Sequence, residues 1–197
     1  DDAQQVAKRL VQASRIAQLD PMRAVTHNKG IMNGVDALVI AMGNDWRAIE
    51  SAAHAFAVKD GQYRGLSDWQ LAGDRLTGTL TLPLPVGTVG GATKVLPLVS
   101  INQKIARINS PEELMKLIAA VGLAQNFAAL KALVTSGIQQ GHMKMQVRSL
   151  AMTVGAAPQE VPVLTEQLMA LKDPNEAQAK QLLKQIRNHK EDNHAKR

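Results

Sequence analysis

The chain has 197 residues, 45% hydrophobic and 3% aromatic, with no cysteine and a formal net charge of +6. That length buries a proper core in one or two domains, and the missing cysteine excludes disulfides, thiolate metal sites and a cysteine nucleophile. The basic balance suits a polyanion, either nucleic acid or a phosphorylated cofactor, but so few aromatics leave little for stacking single-stranded bases.

Val6, Leu10, Ala13 and Ala17 recur at helical spacing, which predicts an amphipathic helix over residues 3–19. Asp20-Pro21 ends it, because the residue before a proline is pushed out of the α region. Thr26-His27-Asn28-Lys29-Gly30 reads as a polar loop, and the apolar, β-branched run from Val35 to Met42 as a buried strand. Asn44 or Asp45 caps the next helix, whose stripe is Ile49, Ala52, Ala53 and Phe56, before Gly61 and Gly65 break the chain.

Leucines at 76, 80, 82 and 84 alternate with threonines at 77, 79 and 81, predicting a strand over 76–86. Gly73-Asp74 turns it back on a strand around Trp69 to Leu71, and Pro83 and Pro85 place its end at a sheet edge. Ser110-Pro111-Glu112-Glu113 is a capping box opening a long helix to about Ser136, with Gly122 tolerated at ~1 kcal/mol against alanine. Another helix should follow His142, Asp173-Pro174-Asn175-Glu176 caps the last one, and 190–197 form a charged, frayed tail. No stretch approaches the ~20 apolar residues of a membrane span. The opening Asp1-Asp2-Ala3-Gln4 is no signal peptide; without a Met, and inside a helix, it fits a protein that starts further upstream, or one shortened by tag removal or processing. The order of elements is α+β with a helical C-terminal section.

Three polar clusters interrupt apolar elements: His27-Asn28-Lys29, Gly43-Asn44-Asp45 and Gly141-His142. Each falls at a loop or element end, where functional groups are often displayed. Each also has a purely structural reading. Asp45 is a natural N-cap, Lys29 a solvated loop charge and His142 a polar residue at a helix start. His27 reads as a loop hydrogen-bonding residue, His54 as structural, and His189 and His194 as tail; their spacing gives no metal site.

The wording of the segments separates these readings. Residues 20–34, Asp-Pro-Met-Arg-Ala-Val-Thr-His-Asn-Lys-Gly-Ile-Met-Asn-Gly, closely resemble the class II HMG-CoA reductases of bacteria. So do Gly43-Asn44-Asp45-Trp46-Arg47-Ala48, the run Leu82-Pro83-Leu84-Pro85-Val86-Gly87-Thr88-Val89-Gly90-Gly91-Ala92-Thr93, Val121-Gly122-Leu123-Ala124-Gln125-Asn126 and Gly137-Ile138-Gln139-Gln140-Gly141-His142-Met143. Five such strings in family order are far more specific than any one.

The resemblance implies reduction of HMG-CoA to mevalonate and CoA in two hydride steps from NADPH or NADH, or the reverse oxidation. It places the family's catalytic lysine on Lys29, where a cation stabilises the oxyanion formed at the thioester carbon. The catalytic aspartate falls on Asp45, expected beside Lys29 and favouring its charged form. The histidine falls on His142, whose imidazolium protonates the departing thiolate. Arg23 and Asn33 match positions that hold the HMG portion, a guanidinium fork suiting its carboxylate. No metal is implied.

Two departures stand out. The family's Glu-Asn-Val-Ile-Gly-like segment, with its catalytic glutamate, is not in this sequence, nor is the Asp-Ala-Met-Gly-Ala-Asn-like signature of the cofactor domain. Gly87-Thr88-Val89-Gly90-Gly91 has neither GxGxxG spacing nor a following Gly-Lys-Ser/Thr. The resemblance therefore implies that residues 1–137 are the C-terminal part of a large substrate-binding domain, and residues 138–197 a helical, flap-like segment carrying His142. It also implies a cytoplasmic homodimer or higher homo-oligomer, completed by the N-terminal half of the same protein, without membrane or nucleic acid. The chain alone is expected to be inactive. The alternative is a non-catalytic acyl-CoA-binding module that has lost its cofactor domain. A nucleic-acid-binding protein rests on the charge alone, with no recognition motif behind it.

Overall fold

A computed structural model describes residues 2–91, 95–135 and 137–195; the side chains of 138–142 and 189–195 lie outside the described set. Helix α1 (Ala3–Leu19) is capped by Asp2, and its buried residues Leu10, Ala13, Ser14 and Ala17 follow the expected stripe. Asp20-Pro21 ends it and at once starts α2 (Pro21–Ala41), the Asp20 carboxylate accepting from the Met22 N–H at 2.9 Å. Here the sequence reading is corrected. The expected loop at 26–30 and strand at 35–42 are one continuous 21-residue helix.

The physical reason lies in distant partners. His27 and Asn28 face inward and bond to residues near position 65, so their polarity marks an internal contact. Ile31, Val35 and Val39 meet Leu114 and Ile118 in the main core, so the β-branched run serves helix packing. Helix α3 (Trp46–Ala57) is capped by Asp45 and buries Ile49, Ala53 and Ala57, while Phe56 stays exposed.

Two antiparallel hairpins follow. Strands β1 (Val58–Lys59) and β2 (Gln62–Tyr63) flank an Asp60-Gly61 turn in which both residues have positive φ, the geometry that fits the twist of paired strands. Strands β3 (Ser67–Ala72) and β4 (Arg75–Leu80) pair in the expected register, Ala72 opposite Arg75 across Gly73-Asp74. The strand stops at Leu80, before the prolines, and 81–87 run without regular structure. Trp69 sits opposite Gly78, where a Cβ would lie 2.6 Å from the indole ring.

Helix α4 (Pro97–Ala106), which the sequence reading does not single out, leads to α5 (Pro111–Val134). The Ser110 hydroxyl accepts from the Glu113 N–H at 3.2 Å, and the Glu113 carboxylate reaches back to the Asn109 N–H at 2.7 Å. With 24 residues and an 18-residue apolar window, α5 is long and apolar enough to cross a membrane by length and composition. That departs from the expectation that no segment reaches this threshold. In the fold α5 lies against α2. A Cβ on Gly34 would stand 2.9 Å from the Gln125 Cβ, and one on Gly122 2.9 Å from a Val35 methyl. Gly122 is thus a close-approach position in helix packing, beyond a residue merely tolerated in a helix.

The chain divides into two compact units, Asp1–Thr135 and Ser136–Arg197. The second is helical: α6 (Ile138–Thr153), α7 (Val161–Met169) and α8 (Glu176–Ala195) share a core of Val147, Ala151, Leu164, Leu168 and Leu183. Helix α6 starts four residues before His142, and the last cap is an Asn175–Gln178 box, with bonds of 3.0 and 3.1 Å. Buried Glu160 holds Arg187 through two bonds of 3.1 and 3.0 Å. The element order is α+β, as expected.

Candidate active site

Because 21–41 are helical, Lys29 and Asn33 are one turn apart and share the exposed face of α2. Among the described residues Lys29 forms no ion pair. Arg23 is half-buried on the same helix; its guanidinium donates to the Thr26 hydroxyl at 2.6 Å, and burial holds its pKa below the usual arginine range.

The inner side of this stretch of α2 is fixed by hydrogen bonds. Asn28, fully buried, donates to the Arg64 carbonyl at 2.9 Å and accepts from the Leu66 N–H at 2.8 Å. His27, 2% exposed, places Nε2 2.7 Å from the Ser67 hydroxyl, which donates to the Asn126 side-chain oxygen at 2.8 Å. The Trp69 indole donates to the same oxygen at 2.7 Å. Nδ1 of His27 has no partner among the described residues. A neutral ring with its proton on Nε2 leaves no buried N–H idle. Burial, then the charge of Arg23, pushes the His27 pKa down to about 4. It is therefore a neutral, buried hydrogen-bonding residue on a helix and not the loop residue the sequence indicated.

Asp45 lies beyond the turn at the end of α2. Its carboxylate accepts from the Arg47 and Ala48 N–H groups at 3.0 and 3.4 Å and from Arg47 Nε at 3.4 Å. The Ala48 N–H above all, with Arg47, lowers its pKa. Among the described residues its partners are thus Arg47 and the α3 backbone. Asn44 beside it clamps the irregular segment after β4. It donates to the Gly87 carbonyl at 3.0 Å and accepts from the Gly87 N–H at 2.8 Å. His142 belongs to α6 in the second unit, and its side chain lies outside the described residues.

One cluster escaped the sequence reading. Asp36 sits two turns beyond Lys29 on α2 and faces Glu50 of α3. Burial, then a hydrogen bond to the Glu50 carboxyl and that group's charge, pushes the Asp36 pKa up to about 7. Glu50 pairs with His54 at 2.5 Å, and His54 stands 2.6 Å from the Tyr63 hydroxyl. The 29, 33, 36 spacing and the Glu50–His54 i,i+4 pair carry this signal once α2 is known to be a helix.

Fold and polar face together define an α+β chain whose candidate side chains in the first unit lie on one helix and one capping turn. The family model for hydroxymethylglutaryl-coenzyme A reductase matches residues 1–147. A 3-hydroxy-3-methylglutaryl-coenzyme A reductase of Archaeoglobus fulgidus is 50% identical over 166 residues, 83% of this chain and 37% of the relative. A probable enzyme of that name from Borreliella burgdorferi is 41% identical over 150 residues, 76% of this chain and 35% of the relative. Among solved structures, the Streptococcus pneumoniae enzyme of that name superposes with a TM-score of 0.66 at 51% identity, covering 93% of this chain and 44% of its own. The class II S. pneumoniae enzyme bound to NADPH in open conformations gives 0.65 at 52% identity, covering 93% and 45%. The chain belongs to the hydroxymethylglutaryl-coenzyme A reductase family. It spans well under half the length of each of these relatives.

Proposed function

We propose that this chain supplies the substrate side of an HMG-CoA reductase, the enzyme that interconverts HMG-CoA with mevalonate and CoA. The observation that carries the reading is Lys29, exposed beside Asn33 and in no ion pair among the described residues, on a helix whose inner side is locked by Asn28 and His27. Such a preorganised charge stabilises the oxyanion that forms when hydride reaches the thioester carbon. Arg23 and Asn33 hold the HMG portion, Arg23 through the guanidinium nitrogens that Thr26 leaves free. Asp45, whose carboxylate caps α3 and pairs with Arg47, is the family's catalytic aspartate, and His142 protonates the departing CoA thiolate.

NADPH or NADH supplies the hydride when bound. The residues here do not fit that group, since the glycine-rich run lacks the spacing and its Gly87 N–H is already given to Asn44. Cofactor binding therefore falls to the parts of the relatives that this chain does not span, together with the catalytic glutamate. The cysteine-free sequence suits the cytoplasm. Leu98, Ile101 and Ile105, exposed at helical spacing on α4, support a homo-oligomer or a covering domain.

The test is HMG-CoA-dependent oxidation of NADPH, then NADH, by the longest native protein containing this chain. Lys29→Ala should lower turnover by at least about a hundredfold, and the 197-residue chain alone should give none. Turnover that survives Lys29→Ala, or robust catalysis by the chain alone, would overturn the reading. CoA binding without turnover in the native-length protein would favour the acyl-CoA-binding module.

A further inference from the structure

The second unit contains a cleft of about 800 Å³ between α6 and α7. Lys144, Arg148 and Met152 line it from α6, and Thr165, Glu166 and Met169 from α7. Lys144 stands two residues, about 200° around the helix, from position 142.

Two features make this more than a surface hollow. Thr165 is 6% exposed, and its hydroxyl has no hydrogen-bond partner among the described residues although it lines the cleft. A buried hydroxyl without a partner is costly unless something supplied from outside bonds to it. Lys144 and Arg148 are exposed at the mouth and pair with no carboxylate among the described residues, Glu166 across the cleft included. Two cations against one carboxylate leave the lining with an excess positive charge. The two methionines give an adaptable apolar wall.

We propose that this cleft binds a small amphipathic anion, a carboxylate or phosphate held by Lys144, Arg148 and the Thr165 hydroxyl, with a short hydrocarbon body against Met152 and Met169. Arg148 offers the fork that such headgroups accept. A cleft of this size encloses a compact ligand whose orientation a few polar groups fix. The inference does not depend on the reductase reading, because none of its residues belongs to that site.

The experiment uses the 197-residue chain with 13C-methyl methionine and three probes: octanoate, octyl phosphate and octanol. Saturable shifts of the Met152 and Met169 methyls with octanoate or octyl phosphate are expected, the tighter probe naming the headgroup. Arg148→Ala and Thr165→Val should each weaken that binding by about tenfold. Thr165→Val removes a hydroxyl with no partner, so its thermal midpoint should hold or rise while binding falls. Arg148→Ala alters an exposed side chain and reads binding even where the valine variant does not fold. Octanol binding as tightly as the anions, unchanged affinity in either folded variant, or no saturable shift at these methionines would overturn the proposal.

Discussion

The Asn126 side-chain oxygen on α5 receives the Trp69 indole N–H of β3 at 2.7 Å, and the Ser67 hydroxyl reaches the same atom at 2.8 Å. One acceptor thus joins the long helix to the larger hairpin and, through Ser67, to His27. Asn126→Leu leaves two buried donors without a partner and should cost about 2–4 kcal/mol. Trp69→Phe removes one donor and keeps the Ser67 bond, so its loss should be smaller, about 1 kcal/mol from that bond. Urea midpoints of the two variants check the order.

His27, buried, and Asp36, partly buried, pull the pH dependence of stability in opposite directions. His27 titrates at about 4 in the fold, below its ordinary 6.5, so the unfolded chain binds more protons between these values. Its contribution is present above pH 6.5 and is lost as pH falls towards 4. Asp36 titrates at about 7, above its ordinary 3.8, so here the folded chain binds more protons and stability falls as pH rises through that window. Relative to the unsubstituted chain, His27→Gln should gain stability as pH drops from 6.5 to 4, and Asp36→Asn as pH rises from 4 to 7. Denaturant midpoints across pH 4–8 that keep a constant difference for either variant would refute its assigned shift.

Helices α2 and α5 touch through glycines. Gly34→Ala would place a Cβ 2.9 Å from the Gln125 Cβ, and Gly122→Ala one 2.9 Å from Val35. Neither neighbour is the free end of a flexible side chain, so each substitution should destabilise by about 1–3 kcal/mol despite alanine's better helix propensity. Thermal midpoints that rise for both would show that the helices can separate without cost.

Asn44 offers a local test. Asn44→Ala removes both bonds to Gly87, with an expected loss of about 1–3 kcal/mol. The Gly87 amide should then exchange with solvent faster while the β3–β4 amides stay protected. Equal acceleration in both places would mean global unfolding instead of release of the 81–87 segment.

What could be read from the sequence follows from the range of the interactions involved. Helices α1 and α5 and the β3–β4 hairpin carry their signals within a few residues: a stripe, a capping box, a Gly-Asp turn. Helix α2 does not. Its polar half is explained by bonds from His27 and Asn28 to Ser67, Arg64 and Leu66, some 36 to 40 positions away. Its β-branched half is explained by α5, more than 70 residues on. The shared exposed face of Lys29 and Asn33 was hidden by the same misreading, since only a helix puts them together. Asp45 illustrates the converse. Its capping role was plain from local sequence, whereas its electrostatic partner, Arg47 rather than Lys29, emerges only from coordinates.

Around Lys29, positions 27, 28 and 30 are committed to internal neighbours, while positions 29, 33 and 37 face outward. Inheritance at these two sets of sites is consequently decoupled. Side chains on the outer strip can change without disturbing assembly, whereas a lineage that repacks the inner strip is screened first by its ability to fold.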